Sequence, residues 1–117
     1  MLRGPPERAA IFPPVPPMQY SEIEQLAELL KSIAHPIRLK ILCLLQEKEM
    51  TVGDIRKEVR TTHANVSQHL AILRSHGIID FRRDANFICN RISDRRITEL
   101  IRTMRQLFCD REERPDA

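Results

Sequence analysis

Ile23, Leu26, Ala27, Leu30, Ile33 and Ala34 recur at the spacing of one face of an α-helix. Ser21 and Glu24 stand where a capping box would open that helix, which is expected to end near His35. Pro36 suits the first turn of a second helix running to about Glu47, with Ile37, Ile41, Leu44 and Leu45 along its apolar side. Thr51 then offers the N-cap of a short third helix. Val52, Ile55 and Val59 form its apolar face, and Asp54 sits at N3, where a negative charge suits the helix dipole.

The next stretch, RTTHANVSQHLAILRSHG (residues 60–77), points Val66, Leu70 and Leu73 inward and leaves Asn65, Ser67 and Gln68 on the other faces, with Gly77 ending the helix. Its exposed N-terminal half is polar and nearly uncharged. An ordinary solvated helix carries Glu and Lys there. A helix lying in a major groove instead needs short hydrogen-bonding side chains that reach base edges. Two short helices in tandem, the second with this character, suggest a helix-turn-helix. IIDFRRDANFICNRI (residues 78–92) follows as two β-type runs separated by DAN, the pattern of a hairpin, with Arg82 and Arg83 at the bend. A helix-turn-helix followed by a hairpin is a winged helix. The paired arginines either meet DNA phosphates or are ordinary solvated charge on a sheet edge.

A last helix opens at Ser93 or Asp94 and carries Ile97, Leu100, Ile101, Met104, Leu107 and Phe108 at helical spacing. With the first helix, this stripe offers more apolar surface than so small a monomer buries. The expectation is therefore a homodimer built on the N- and C-terminal helices. The fold class expected is mainly α with one small β-hairpin, a winged helix-turn-helix.

Composition narrows the picture. The 117 residues suffice for one compact domain, expected over residues 19–112. Six of the eight prolines fall within residues 1–18, which read as an extended arm, and residues 113–117 read as a tail. Nothing resembles a signal peptide or a membrane span, so a cytoplasmic protein with no membrane partner is expected. The 19 basic and 16 acidic residues leave +3, compatible with a polyanionic partner such as double-stranded DNA but too mild to establish one. Three glycines, at positions 4, 53 and 77, leave no nucleotide-binding loop, and no CxxC pair supports a thiol oxidoreductase; an enzyme is not expected.

The candidate chemistry lies in the cysteines. Cys43 sits within ILCLL and Cys109 within QLFCD, each among apolar neighbours where a thiol serves equally as core filling. Lys40 lies one turn before Cys43, and Arg105 and Arg102 one and two turns before Cys109, so cationic neighbours oppose the effect of apolar surroundings. Cys89, in the second strand of the wing, reads as exposed strand filling. Of the histidines, His35 lies at a helix junction, His63 and His69 on the reading helix, and His76 beside its C-terminal cap. No cofactor or metal site is expected from them.

LLKSIAHPIRLKILCLL, TVGDI, VSQHLAILRSHGIID and RRDANFICNRIS, in this order and spacing, resemble the ArsR/SmtB winged-helix repressors over residues 21–112. The resemblance implies a homodimeric repressor that leaves its operator when an inducer binds. It places Thr62, His63, Asn65, Ser67, Gln68 and His69 on the DNA-reading helix and Arg82 and Arg83 on the wing. Ala85 stands where the family often has glycine, and Asn90 where tyrosine is frequent. The cysteine-rich motif of arsenic sensors is absent from TVGDIRKEV, and the last helix has no histidine for a zinc site. Cys43 and Cys109 resemble instead the cysteine pair of the persulfide- and redox-responsive branch. That resemblance implies a disulfide or polysulfide bridge, formed by reactive sulfur species, that lowers DNA affinity. A general oxidant sensor, or an arsenite-type site drawing on Cys43, Cys89 and Cys109, is the alternative.

Overall fold

The computed structural model describes residues 14–109. Most of the expected N-terminal arm (residues 1–13), the end of the expected domain and the 113–117 tail lie outside the described residues. Five helices and one hairpin follow in chain order: α1 (Tyr20–Ile33), α2 (Pro36–Glu47), α3 (Val52–Val59), α4 (His63–Ser75), β1 (Ile79–Asp84), β2 (Phe87–Ile92) and α5 (Arg95–Phe108).

Side-chain capping sets most helix starts. His35 Nδ1 accepts the Ile37 N–H ahead of α2, with Pro36 at the first position, where its missing N–H costs nothing. Thr51 and Thr62 accept the N–H groups of Asp54 and Asn65 and open α3 and α4. Asp94 does the same for α5 through the Arg96 N–H. The first helix departs from expectation. It begins at Tyr20, with Gln19 rather than Ser21 as N-cap, because the Glu22 carboxylate, not that of Glu24, turns back to accept the Gln19 N–H at 2.8 Å. Gly77, at φ 72°, ends α4 as expected.

The core gathers Ile41, Leu42 and Leu45 of α2, Ile55 of α3, Val66, Leu70 and Leu73 of α4, Ile78, Ile79, and Ile97 and Ile101 of α5. α2 is central, packing against α3, α4, α5 and the hairpin, so most of its apolar side chains are buried or half-buried. α1 is not a core helix over most of its length. Ile33 is buried, but Tyr20, Ile23, Leu26 and Leu30 are exposed. At the other end Leu107 and Phe108 are 69% and 77% exposed, so both terminal helices present apolar surface outward.

The strands pair antiparallel from Ile79↔Ile92 to Asp84↔Phe87, leaving Ala85 and Asn86 as a two-residue turn in place of the three-residue DAN link. Ala85 takes φ 59°, a left-handed conformation that glycine adopts without penalty and alanine at a small cost. Met50, in the α2–α3 link, bridges to Asn90 and adds a third chain segment to the base of the wing. No helix among the described residues is long and apolar enough to cross a membrane.

Candidate DNA-reading face and thiol pair

Buried Val66, Leu70 and Leu73 anchor α4 and fix which of its faces stays open. Thr62, His63 and Gln68 are exposed, while Asn65 and Ser67 are half-buried. Asn65 is fixed from both ends, its N–H on Thr62 Oγ1 and its Nδ2 donating to Thr61 Oγ1, each at 3.0 Å. His69 is turned elsewhere: its ring lies 4.4 Å from that of His35, centre to centre, at the junction of α1 and α2. Its Nδ1 is buried without a hydrogen-bond partner among the described residues. Burial, then His35 and Arg38, push its pKa down. His69 is thus half-buried like Asn65 and Ser67, with its ring directed toward His35. The turn between α3 and α4 is made by Arg60, in a left-handed conformation at φ 63°.

On the wing the two arginines differ. Arg82 donates from Nε to Glu49 Oε1 at 2.7 Å, whereas Arg83 makes no ion pair among the described residues. Arg91 is likewise engaged, with Asp80 at 2.8 Å. Cys89 lies directly across from Arg82 and is half-buried rather than exposed.

Asn90 is fully buried. Its Nδ2 donates to the Met50 carbonyl at 3.2 Å, its Oδ1 accepts from Arg74 Nη2 at 3.4 Å, and its backbone exchanges two hydrogen bonds with Met50. The same Arg74, on α4, lies over the Phe81 ring of β1 at 5.0 Å. Asn90 thus ties the wing, the reading helix and the α2–α3 link to one another. Its role had one trace in the sequence: it shares the strand parity of Ile88 and Ile92, an inward position for a polar residue.

The two sensing candidates lie on neighbouring elements, Cys43 on α2 and Cys109 at the end of α5. Cys43 is half-buried on α2, and Cys109 is exposed at the C-cap of α5, the helix packed beside it. Both are free thiols. Arg105 lies between them: its Nη1 donates to Gln46 Oε1 at 2.9 Å and approaches the Cys43 backbone carbonyl at 3.5 Å, and its own carbonyl accepts the Cys109 N–H at 2.8 Å as the last helical bond of α5. Burial pushes the Cys43 thiol up. Arg105 opposes that most strongly, Cys109 stands near enough for its charge to add to the rise, and Lys40 and Glu47 act more weakly in opposite senses. No three His, Cys, Asp or Glu side chains among the described residues converge to hold a metal ion. The alternative site of Cys43, Cys89 and Cys109 is accordingly not assembled in this conformation.

A polar helix following a short helix, held against a two-stranded wing with exposed arginines, defines a winged helix-turn-helix DNA-binding regulator. Residues 35–80 match the model of a family described as bacterial regulatory protein, arsR family. The biofilm growth-associated repressor of Xylella fastidiosa is 32% identical over 102 residues, which span 84% of this chain and 90% of that protein. Reduced HlyU from Vibrio cholerae has the same fold at a TM-score of 0.74 and 30% identity, over 78% of this chain and 96% of that one. The homodimeric winged helix-turn-helix DNA-binding domain Mb0332 from Mycobacterium bovis aligns with a TM-score of 0.68 at 27% identity, over 80% of this chain and 85% of that one. The chain belongs to the ArsR family of bacterial transcriptional regulators, a family of DNA-binding proteins rather than enzymes.

Proposed function

We propose that the protein is a homodimeric transcriptional repressor that binds double-stranded operator DNA while Cys43 and Cys109 are reduced. It releases the DNA when reactive sulfur species join the two thiols of one protomer by a disulfide or polysulfide bridge. The observation that carries this reading is the pair of free thiols on two packed elements, Cys43 on α2 and Cys109 at the C-cap of α5, with the Arg105 guanidinium of α5 reaching the backbone carbonyl of Cys43. A bridge there changes the covalent spacing between two rigid elements, one of them the central helix of the core, and packed elements answer such changes by discrete shifts.

Two apolar terminal helices support the dimer, as does the homodimeric state named for the Mycobacterium bovis relative. A dimer sets two copies of α4 and two wings against a palindromic site. On DNA, Thr62, His63, Asn65, Ser67 and Gln68 meet base edges and nearby phosphates, and the wing arginines face phosphates beside the minor groove, Arg83 in direct contact and Arg82 with its charge shared with Glu49. His69 takes the lesser part, since its ring faces His35. The site of action is the cytoplasm, where the DNA is.

The test is chemical. Reduced protein is exposed separately to glutathione persulfide and to peroxide, thiols are blocked, and the digest is searched by mass spectrometry for a peptide linking Cys43 to Cys109, in parallel with DNA binding. A link after persulfide, accompanied by loss of DNA binding, is expected. A plain disulfide after both reagents would make the protein a general oxidant sensor. DNA release that persists in both Cys43→Ser and Cys109→Ser would refute the switch.

A further inference from the structure

The last turn of α2 carries no basic residue of its own, although a helix C-terminus favours one. The missing cation comes from α5. Arg105 places Nη1 on Gln46 Oε1 at 2.9 Å and toward the Cys43 carbonyl at 3.5 Å, and Nη2 beside Glu47 Oε2 at 3.2 Å. Three groups at the end of α2 thus converge on one guanidinium, carried one helical turn before Cys109, whose N–H closes the last backbone bond of α5 on the Arg105 carbonyl.

We propose that Arg105 is the positioning residue of the dithiol, clamping the end of α2 that bears Cys43 against the segment that bears Cys109 and governing the step that closes the bridge. This rests on the reading of Cys43 and Cys109 as a sensing pair. The two thiols have unequal tasks. Cys109 is exposed and meets the reagent first. Its thiolate attacks the outer sulfur of a low-molecular-weight persulfide RSSH, giving Cys109–S–SH and releasing RS⁻. The Cys43 thiolate then attacks the inner sulfur of that group. A Cys43–S–S–Cys109 bond forms, the S–SH bond breaks and hydrosulfide leaves. Together the two thiols are oxidised to a disulfide, the sulfane sulfur is reduced to sulfide, and the two thiol protons end on RSH and hydrogen sulfide. The second step needs Cys43 ionised, which burial opposes and the Arg105 charge favours. Capture at Cys109 does not depend on that ionisation.

The experiment follows both steps in the full chain with glutathione persulfide, quenching at intervals with a thiol-blocking reagent and quantifying peptides by mass spectrometry. Wild type, Arg105→Gln and Arg105→Lys are compared across a pH series. Arg105→Gln is expected to close the link about 3- to 10-fold more slowly near neutral pH once sulfur is on Cys109, measured as the ratio of linked to persulfidated peptide, with the pH profile of that closing step displaced to higher pH. Arg105→Lys, which keeps the charge, restores most of the profile. Cys89 alkylation is measured alongside, since general loosening of the fold would change it too.

A link that closes in Arg105→Gln with the wild-type rate and pH profile overturns the role of Arg105 and leaves the sensing pair standing. Loss of linking equally in both variants, with Cys89 more reactive, also overturns it, because the effect is then loss of fold. No link in wild type overturns both readings together.

Discussion

Two adjacent arginines on the wing look interchangeable in sequence and are not so in the structure. Arg82 is already paired with Glu49 at 2.7 Å, whereas Arg83 has no such partner among the described residues. A phosphate contact from Arg83 displaces only a counterion, while one from Arg82 must first release a carboxylate. Each phosphate neutralised contributes roughly 0.9 to the slope of log K against log salt, so Arg83→Ala in a dimer should flatten that slope by about 1.8. At about 0.15 M salt this corresponds to about 1.5 decades, or an affinity loss of up to ~30-fold. Arg82→Ala should change the slope much less, because the Arg82 and Glu49 charges leave little net attraction between them. Glu49→Gln, which frees Arg82, should steepen the slope and tighten binding. The assay is fluorescence anisotropy on a DNA duplex selected by the wild-type protein from a random pool, titrated at salt concentrations between roughly 50 and 200 mM. Equal flattening by Arg82→Ala and Arg83→Ala would show that the Glu49 pair does not persist on DNA. No flattening by either would remove the wing from the phosphate contacts.

Other outcomes follow from the same geometry. Asn90→Ala removes two side-chain hydrogen bonds from a fully buried site and leaves Arg74 short of an acceptor. It should cost about 2–3 kcal/mol, read as a lower urea midpoint at fixed protein concentration. His69 has its pKa lowered by burial, then by His35 and Arg38, so the folded protein holds its proton less tightly than the unfolded chain. Its contribution to stability is therefore intact above about pH 6.5 and declines as the pH falls toward the folded value, where it levels off. His69→Gln should weaken that decline in urea titrations run between about pH 7.5 and 5.5, and an unchanged slope would exclude His69 as its source. Leu26→Glu together with Leu30→Glu, on the exposed apolar face of α1, should convert a dimer to monomer in analytical ultracentrifugation while leaving the helical circular dichroism unchanged.

The elements legible in the sequence were those whose signals are local. Thr51, Thr62 and the His35–Pro36 pair mark helix starts through side chains acting within three residues, and α2, α3 and α4 begin where those residues place them. The opening of α1 was less determined, since both Glu22 and Glu24 could close a capping box and the chain offers a polar residue before each. The open and inward faces of α4 followed from periodicity, but the turning of His69 toward His35 did not. That contact joins residues 34 positions apart, 35 and 69, and nothing in the helical repeat encodes it. The Glu49–Arg82 and Arg105–Gln46 contacts are non-local in the same way. Arg105 was visible as a cation one turn before Cys109, yet its guanidinium acts on Cys43, across the helix packing.

The buried polar contact at Asn90 bears on how such a protein can read DNA at all. A recognition helix and a wing specify a site only if their separation is fixed, and apolar packing alone tolerates small sliding between elements. Hydrogen bonds do not, because their energy falls steeply with misalignment. Asn90 belongs to the wing, Arg74 to the reading helix and Met50 to the link between α2 and α3, so one amide sets three elements in register. Arg74 then returns to the wing over Phe81, closing the circuit on its outer side. An aliphatic residue at position 90 would bury as well, but would leave the Arg74 guanidinium, whose Nε already lacks a partner among the described residues, further unsatisfied and the helix-to-wing distance without a fixed stop.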